Sequence, residues 1–320
     1  LSIQPQAWLT LRFLILSLSQ GVQPCVFIFR RMLSTGKWMM KIALNKLDAE
    51  DLEIQNFVKF KSKKRKLTGK QSVTQLVFRA ENGSDPNSKF ANSDLNTLSK
   101  LGFLDELICG IKTGKEASVF LGRNSDGLVA VKMYTDLRVR SFKRDASYRE
   151  GRFIGDARLE KAIKQGSEAG LDAHQILWVQ EEFRQMQHLY EHGVNVPKAI
   201  AVNGISLIME FIGDENGNPA ARISDLKMER DEAEDAFRQS VRNLKLIVQS
   251  GRVHGDYSAF NILWHNEKAV VIDFPQVIEF KNNPNANAFL ERDVNSLCKS
   301  FIKQGVNARE ASILREIRAG

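Results

Sequence analysis

The hydrophobic pattern changes character along the chain. Trp8 to Leu18 form an apolar run broken by Arg12. The run has the length of a signal-peptide core, but about twenty apolar residues are needed to cross a bilayer. No basic stretch precedes it and no small-residue cleavage site follows. Secretion therefore ranks below an N-terminal extension, residues 1–95, that is partly disordered or belongs to a start upstream of the true one. The chain opens on Leu1, with Met32, Met39 and Met40 as later candidate starts. From Glu81 to Ser93 the pattern turns polar, a linker composition, and the domain boundary is placed there. Beyond it, Leu101, Leu104, Leu107 and Ile108 recur at helical spacing and predict a short amphipathic helix. Ile111 to Leu121 reads as strand, tight turn, strand, and a polar loop closes on Asp126-Gly127, a good hairpin turn. Leu128 to Tyr134 is an apolar strand carrying one lysine, Lys132. Val179 to Met186 is helical in character, and Leu207 to Gly213 is a buried strand ending at a polar loop. Ala233, Phe237, Val241, Leu244, Ile247 and Val248 form one helical stripe, which Gly251 stops. Ala269-Val270-Val271 is the last short strand.

Composition narrows the class. At 320 residues, 43% hydrophobic and 26% charged, the chain has material for a sizeable core and is neither disordered nor fibrous. Cys25, Cys109 and Cys298 lie far apart, which argues against a disulfide framework and a zinc site and agrees with a reducing compartment. Of five histidines, His188 and His192 form an HxxxH pair with no adjacent Glu, read as a solvated helix face. The net charge is +8, and residues 1–100 hold 16 Lys and Arg against 7 Asp and Glu, so the excess is N-terminal. Its densest part, Lys61 to Lys66, is either a phosphate-contacting patch for RNA or DNA or a solvated charge run. No aromatic residues interleave it, so no base-stacking platform is indicated.

Three stretches carry chemistry. In Thr113-Gly114-Lys115-Glu116-Ala117-Ser118-Val119, Gly114 lets the backbone turn tightly, and successive N–H groups in such a turn can cradle phosphate oxygens. The same turn is also an ordinary hairpin. It lacks the second Gly and Lys-Ser/Thr of a Walker A loop and the full G-x-G-x-x-G of protein kinases. Lys132 follows Val-Ala-Val one strand after this turn, the arrangement in which a kinase lysine reaches the α- and β-phosphates of ATP. It needs an acidic partner, for which Glu182 is the candidate and Glu181 the rival. The third stretch is His254-Gly255-Asp256, with Asn261 five residues on and Asp273 twelve beyond that. Here Asp256 can orient a nucleophile and accept its proton, while Asn261 and Asp273 supply oxygens suited to Mg²⁺ and not to zinc.

Together these motifs resemble the RIO family of atypical serine/threonine protein kinases, over about residues 96–305. Ile272-Asp273-Phe274-Pro275-Gln276 and Phe289-Leu290-Glu291-Arg292-Asp293-Val294 complete the match. The resemblance implies an α+β, two-lobed kinase-like fold. A small β-rich N-lobe would occupy 96–212, with a flexible insertion at 136–176, and a small helical C-lobe 213–320, without an activation segment. It implies ATP and Mg²⁺ as cofactors. The 113–118 turn would cover the phosphates and Lys132, held by Glu182, would position them. Backbone groups of Glu210 and Ile212 would bind adenine with Met209 at the back of the pocket, Asn261 and Asp273 would bind the metal, and Asp293 would brace the catalytic loop from a later helix. Family members phosphorylate Ser, including their own, and in some the Asp equivalent to Asp273 itself receives the phosphoryl group. The expected function is an ATP- and Mg²⁺-dependent phosphotransferase in the cytoplasm, acting on protein or on itself through Asp256, Lys132 and Asp273, with no membrane contact. The alternatives are an ATP-gated RNA or ribosome assembly factor with little turnover, touching RNA through residues 61–66, and a small-molecule kinase of the aminoglycoside-phosphotransferase type. Ser141, Ser147 and Tyr148 in the insertion are candidate autophosphorylation sites.

Overall fold

The computed structural model describes residues 27–32, 38–43, 89–114, 116–135, 161–163 and 165–319. The chain forms two units, residues 1–59 and 60–320. In the first, strands β1 (Phe27–Met32) and β2 (Trp38–Ala43) pair antiparallel, Phe27 opposite Ala43 and Met32 opposite Trp38. The expectations for residues 8–18, the basic cluster 61–66, Lys115 and Ser141, Ser147 and Tyr148 lie outside the described residues.

The second unit opens with helix α1 (Ser93–Lys100). Asn92 caps it, its side chain accepting from the Asp94 and Leu95 N–H groups, which a helix N-terminus otherwise leaves unpaired. Gly102, at φ +80, then turns the chain away. The helix expected across residues 101–108 is thus corrected. Leu101 is the cap of α1, Leu104 lies in the connection, and Leu107 and Ile108 belong to strand β3 (Glu106–Thr113). The helical spacing arose because Leu104 and Leu107 bury against one core from a loop and a strand.

Strands β4 (Ala117–Asn124) and β5 (Gly127–Tyr134) follow, then helix α2 (Glu168–Glu191) and strands β6 (Ala199–Asn203) and β7 (Ser206–Glu210). The strands of this unit's sheet lie in the order β6-β7-β5-β4-β3, with antiparallel neighbours. The β4–β5 turn is centred on Ser125-Asp126, one residue ahead of the Asp126-Gly127 signal, because Asn124 pairs with Gly127 and its side chain accepts from the Asp126 and Gly127 N–H groups. Along β5 alternate residues take opposite faces. Val129, Val131 and Met133 join Phe90, Leu95, Leu98, Leu104, Phe120 and Ile208 in one core. Ala130, Lys132 and Tyr134 face the other way, and they too are buried, so the strand reads as one continuous apolar run.

Helix α2 begins at the cap residue Ser167, so residues 168–176, counted in the insertion by the sequence reading, are its opening turns. Gln175, buried, donates to the Thr135 carbonyl at 2.6 Å and ties that end of the helix to β5. Of the pair expected to be solvated, His192 is exposed, but His188 is half-buried. Its Nε2 lies 3.0 Å from the Ser250 carbonyl, and its ring stacks on His192 at 4.1 Å.

The rest is helical with short strands: β8 (Ala221–Arg222), α3 (Arg230–Gln249), β9 (Arg252–Val253), β10 (Ile262–His265), β11 (Lys268–Val271), β12 (Ile278–Glu279), α4 (Ala286–Ile302) and α5 (Glu310–Arg318). The expected α3 stripe buries Ala233, Val241, Leu244 and Ile247, while Phe237 stacks on Phe301 of α4 at 5.2 Å. Among the described residues no helix is long and apolar enough to cross a membrane.

Candidate active site

The two halves of the second unit meet around Lys132. Val119 of β4 stands opposite Lys132, and Leu207 of β7 opposite it on the other side, so the lysine leaves mid-sheet on the face away from the α1 core. Its ammonium donates to Glu182 Oε1 and to Asp273 Oδ1, each at 2.7 Å. Glu182, 1% exposed, also accepts from the Tyr134 hydroxyl and, at 3.4 Å, from the Phe274 N–H. Of the two candidate partners the structure selects Glu182, because Glu181 lies about 100° further round the helix and pairs with Arg184 and Gln185 instead. Burial works to lower the lysine pKa, but Asp273 and Glu182 overcome it and hold the ammonium charged. Burial raises the Glu182 carboxyl while Lys132 pulls it back. Asp273 is 44% exposed; burial would raise its pKa, but the Lys132 charge and hydrogen bond prevail and keep it low and ionised. Its φ of +72 is a left-handed conformation uncommon outside glycine, held at the very residue that faces the lysine.

Asp256 and Asn261 share a loop between β9 and β10. The Asn261 Nδ2 donates to the Asp256 carbonyl at 2.9 Å and to its Oδ2 at 3.0 Å. With the amide nitrogen spent, the Asn261 oxygen is the atom left for another ligand. The protein packed around Asp256 raises its carboxyl pKa and Asp273 adds to this, while Asn261 opposes it. The loop itself is braced from α4. Asp293, buried, accepts from Gly255 N at 2.8 Å and from Tyr257 N at 3.0 Å, so the N–H groups on both sides of Asp256 are fixed. Arg292 donates to the Gly255 carbonyl and Tyr257 to the Ser240 carbonyl. His254 is fully buried between Tyr257 and Phe274, and burial lowers its pKa to about 4, so it is a neutral wedge.

Thr113 and Ser118 pair across the turn between β3 and β4, and Gly114 N donates to the Ala117 carbonyl at 2.9 Å. A side chain at Gly114 would stand 3.0 Å from that carbonyl oxygen, a physical reason for glycine there. The Glu116 carbonyl accepts from Thr135 N, which ties the turn to the end of β5. At the far end of the cleft Met209 stands opposite Ala130 and so shares the Lys132 face. Glu210 N donates to the Lys198 carbonyl and the Ile212 carbonyl accepts from Ala220 N. Those two groups are committed internally; the Ile212 N–H has no partner among the described residues. Residues 274–285, which include β12, lead straight from Asp273 into α4, so no activation segment intervenes.

Comparison with known proteins assigns this arrangement. The model of the RIO domain matches residues 118–313. The chain belongs to the RIO domain family. A RIO-type serine/threonine-protein kinase Rio1 of Haloferax volcanii is 35% identical over 211 residues, 65% of this chain and 67% of the relative. The serine/threonine-protein kinase RIO1 of Caenorhabditis elegans is 30% identical over 208 residues, 65% of this chain but 39% of the relative, so the chain spans about two fifths of that protein's length. Among solved structures, the Rio2 kinase-ADP/Mg²⁺-phosphoaspartate complex of Chaetomium thermophilum superposes with a TM-score of 0.51 at 21% identity, covering 69% of this chain and 64% of the other. The fold of this RIO chain is accordingly the α+β, two-lobed kinase fold expected, and its class is that of the RIO-type atypical serine/threonine kinases.

Proposed function

We propose that this chain moves the terminal phosphoryl group of ATP, with Mg²⁺, onto a Ser or Thr hydroxyl of a protein, its own included. The observation that carries the reading is the Lys132 ammonium, 2.7 Å from both Glu182 and Asp273. A lysine anchored by a helix carboxylate and facing an ionised, half-exposed aspartate is prepared for a polyphosphate and its metal. The residues fit Mg²⁺: Asp273 supplies a carboxylate, Asn261 an uncommitted amide oxygen, and phosphate and water would fill the remaining positions. When bound, the ion would neutralise charge on the phosphate oxygens. Lys132 positions the α- and β-phosphates, the 113–118 turn closes over them, and the Ile212 N–H with Glu210 and Met209 meets the adenine. Asp256 holds the acceptor hydroxyl and takes its proton as the oxygen bonds to the γ-phosphorus and ADP leaves. The raised pKa of Asp256 suits a base that must hold a proton briefly. Catalysis on this reading is positioning and charge neutralisation.

A second reading is favoured by the ionised, half-exposed Asp273, whose oxygen could itself receive the phosphoryl group in an ATPase cycle. The Rio2 neighbour is described as a phosphoaspartate complex. One experiment separates the two. The parent, Asp256→Ala and Asp273→Ala are incubated with γ-labelled ATP and Mg²⁺, and label is followed on protein and as free phosphate. Acid-stable label on the parent alone supports the Ser/Thr kinase. Label lost at alkaline pH or to hydroxylamine, and absent from Asp273→Ala, supports the acyl phosphate. ATP binding lost together with transfer in Asp256→Ala would sink the role given to that residue. The cytoplasm is the compartment we propose, and contact with RNA through residues 61–66 is proposed on their charge alone. A small-molecule kinase is disfavoured, since among the described residues the helices of the second lobe are α3, α4 and α5, with short strands and no added substrate-binding layer.

A further inference from the structure

Strand β3 carries a cation that the reading of the phosphate turn passed over. Directly opposed residues of an antiparallel pair share a face of the sheet. Lys112 stands opposite Val119, and Val119 opposite Lys132. The Lys112 and Lys132 side chains therefore leave the same face, the one over the cleft. Two strand spacings, about 10 Å, separate their backbones, a gap that two lysine stems can largely close. Lys112 is exposed and immediately precedes the Thr113-Gly114 turn. It makes no hydrogen bond and no ion pair of its own among the described residues. Its charge is felt by Asp273 on the opposite side of the cleft, by Arg222 and Asp225 beyond the hinge loop, and by Lys132. The register thus puts Lys112 on the cleft side of the sheet.

The carboxylates in reach are already engaged. Asp273 is held by Lys132 at 2.7 Å, and Asp225 lies 3.8 Å from Arg222. Burial first, then Arg222, and to a smaller degree Lys132, lower the Lys112 pKa, while Asp273 and Asp225 oppose them. A multiply charged anion entering between Lys112 and Lys132 would relieve the repulsion between the two.

We propose that Lys112 contacts the terminal phosphate of the bound nucleoside triphosphate, as a second phosphate-positioning cation beside Lys132. The inference rests on the nucleotide reading of the cleft given above. The turn brings Lys112 over the end of the phosphate chain, whereas Lys132, anchored to Glu182 deeper in the cleft, meets its middle. Lys112 should therefore discriminate triphosphate from monophosphate.

The test is calorimetric titration of the full chain with Mg²⁺ and AMP, ADP or a non-hydrolysable ATP analogue. The parent, Lys112→Met, Lys112→Arg and Lys132→Met are compared, with melting curves to verify folding. Lys112→Met should leave AMP affinity unchanged and weaken the ATP analogue about tenfold, the scale of one charge-assisted contact. Lys112→Arg should restore most of the difference. Equal affinities of parent and Lys112→Met for the analogue would overturn the inference. So would a uniform loss for all three nucleotides, which would mark a displaced strand. An unchanged nucleotide series with a raised KM for a peptide acceptor would assign the charge to the acceptor and overturn it as well. A parent that binds none of the three nucleotides would overturn the nucleotide reading itself. A parent that binds them, with affinity lost in Lys132→Met alone, would leave that reading standing while the Lys112 inference fell.

Discussion

Replacing Asp293 tests whether the catalytic loop is held from α4. Its carboxylate is buried and accepts the N–H groups of Gly255 and Tyr257, at 2.8 and 3.0 Å, on either side of Asp256. Asp293→Ala strands two buried donors, at about 1–3 kcal/mol each, so a loss of about 2–6 kcal/mol is expected. Asp293→Asn keeps one acceptor oxygen but turns an NH₂ group on the other donor, so about half that loss is expected. A second effect opposes the first. Burial raises the Asp293 carboxyl to about 7 even though both N–H bonds and Arg292 pull it down. The folded state therefore binds this proton more tightly than the unfolded chain does. The stability that protonation contributes is complete below about pH 4, fades as pH rises, and is gone above about pH 7. A shift of roughly three units at about 1.4 kcal/mol each amounts to about 4 kcal/mol. Asp293→Asn cannot titrate, so the stability of the parent minus that of the variant should fall by about this amount between pH 4 and pH 7 and then level off. Urea unfolding across that range measures it, and transfer rates at pH 7.5 with ATP affinity in parallel report the positioning of Asp256. A flat difference, or one that rises with pH, would refute the reasoning, because the hydrogen bonds would then outweigh burial.

Three further outcomes follow from packing and pairing. Glu182→Ala leaves the Lys132 ammonium with one partner and the buried Tyr134 hydroxyl with none, so urea unfolding should show a loss of about 3–5 kcal/mol, against about 1–2 for Glu181→Ala, whose half-buried carboxylate holds Gln185 and the exposed Arg184. Similar losses in the two would mean that the pairing with Lys132 is not what holds this helix. Gly122→Ala places a methyl 2.8 Å from Leu104 Cδ1 and 3.0 Å from the Glu106 carbonyl, at a cost of about 1–3 kcal/mol that a melting curve would register; an unshifted melt would show loose packing between β4 and Leu104. Tyr257→Phe removes the buried bond to the Ser240 carbonyl, 2.8 Å, and should cost about 1 kcal/mol in the same assay, with no cost if the hydroxyl reaches water.

Local chemistry made much of this protein legible before its fold was known. The turn at Gly114, the strand bearing Lys132, the α3 stripe and the Asp256, Asn261 and Asp273 spacing each fall within a stretch of fewer than twenty residues, and short-range geometry constrains such groups strongly. The misreadings came where contacts are long-range. Leu101, Leu104, Leu107 and Ile108 looked like one helix because their spacing reports burial, and burial against a shared core does not specify which element delivers each residue. His188 looked solvated because its partner, the Ser250 carbonyl, is 62 residues away. The choice of Glu182 over Glu181 depends on the rotation of α2, which is set by Trp178, Val179, Phe183 and Met186 burying together. Lys112 was passed over because its relation to Lys132 runs across two strand pairings and not along the chain. The sequence by itself determined the identity of the reactive groups and their local turns, since those depend on residue type and spacing. Only the tertiary structure decided which carboxylate meets which ammonium and which face each strand turns to the cleft, because register and helix rotation minimise the free energy of the whole core at once.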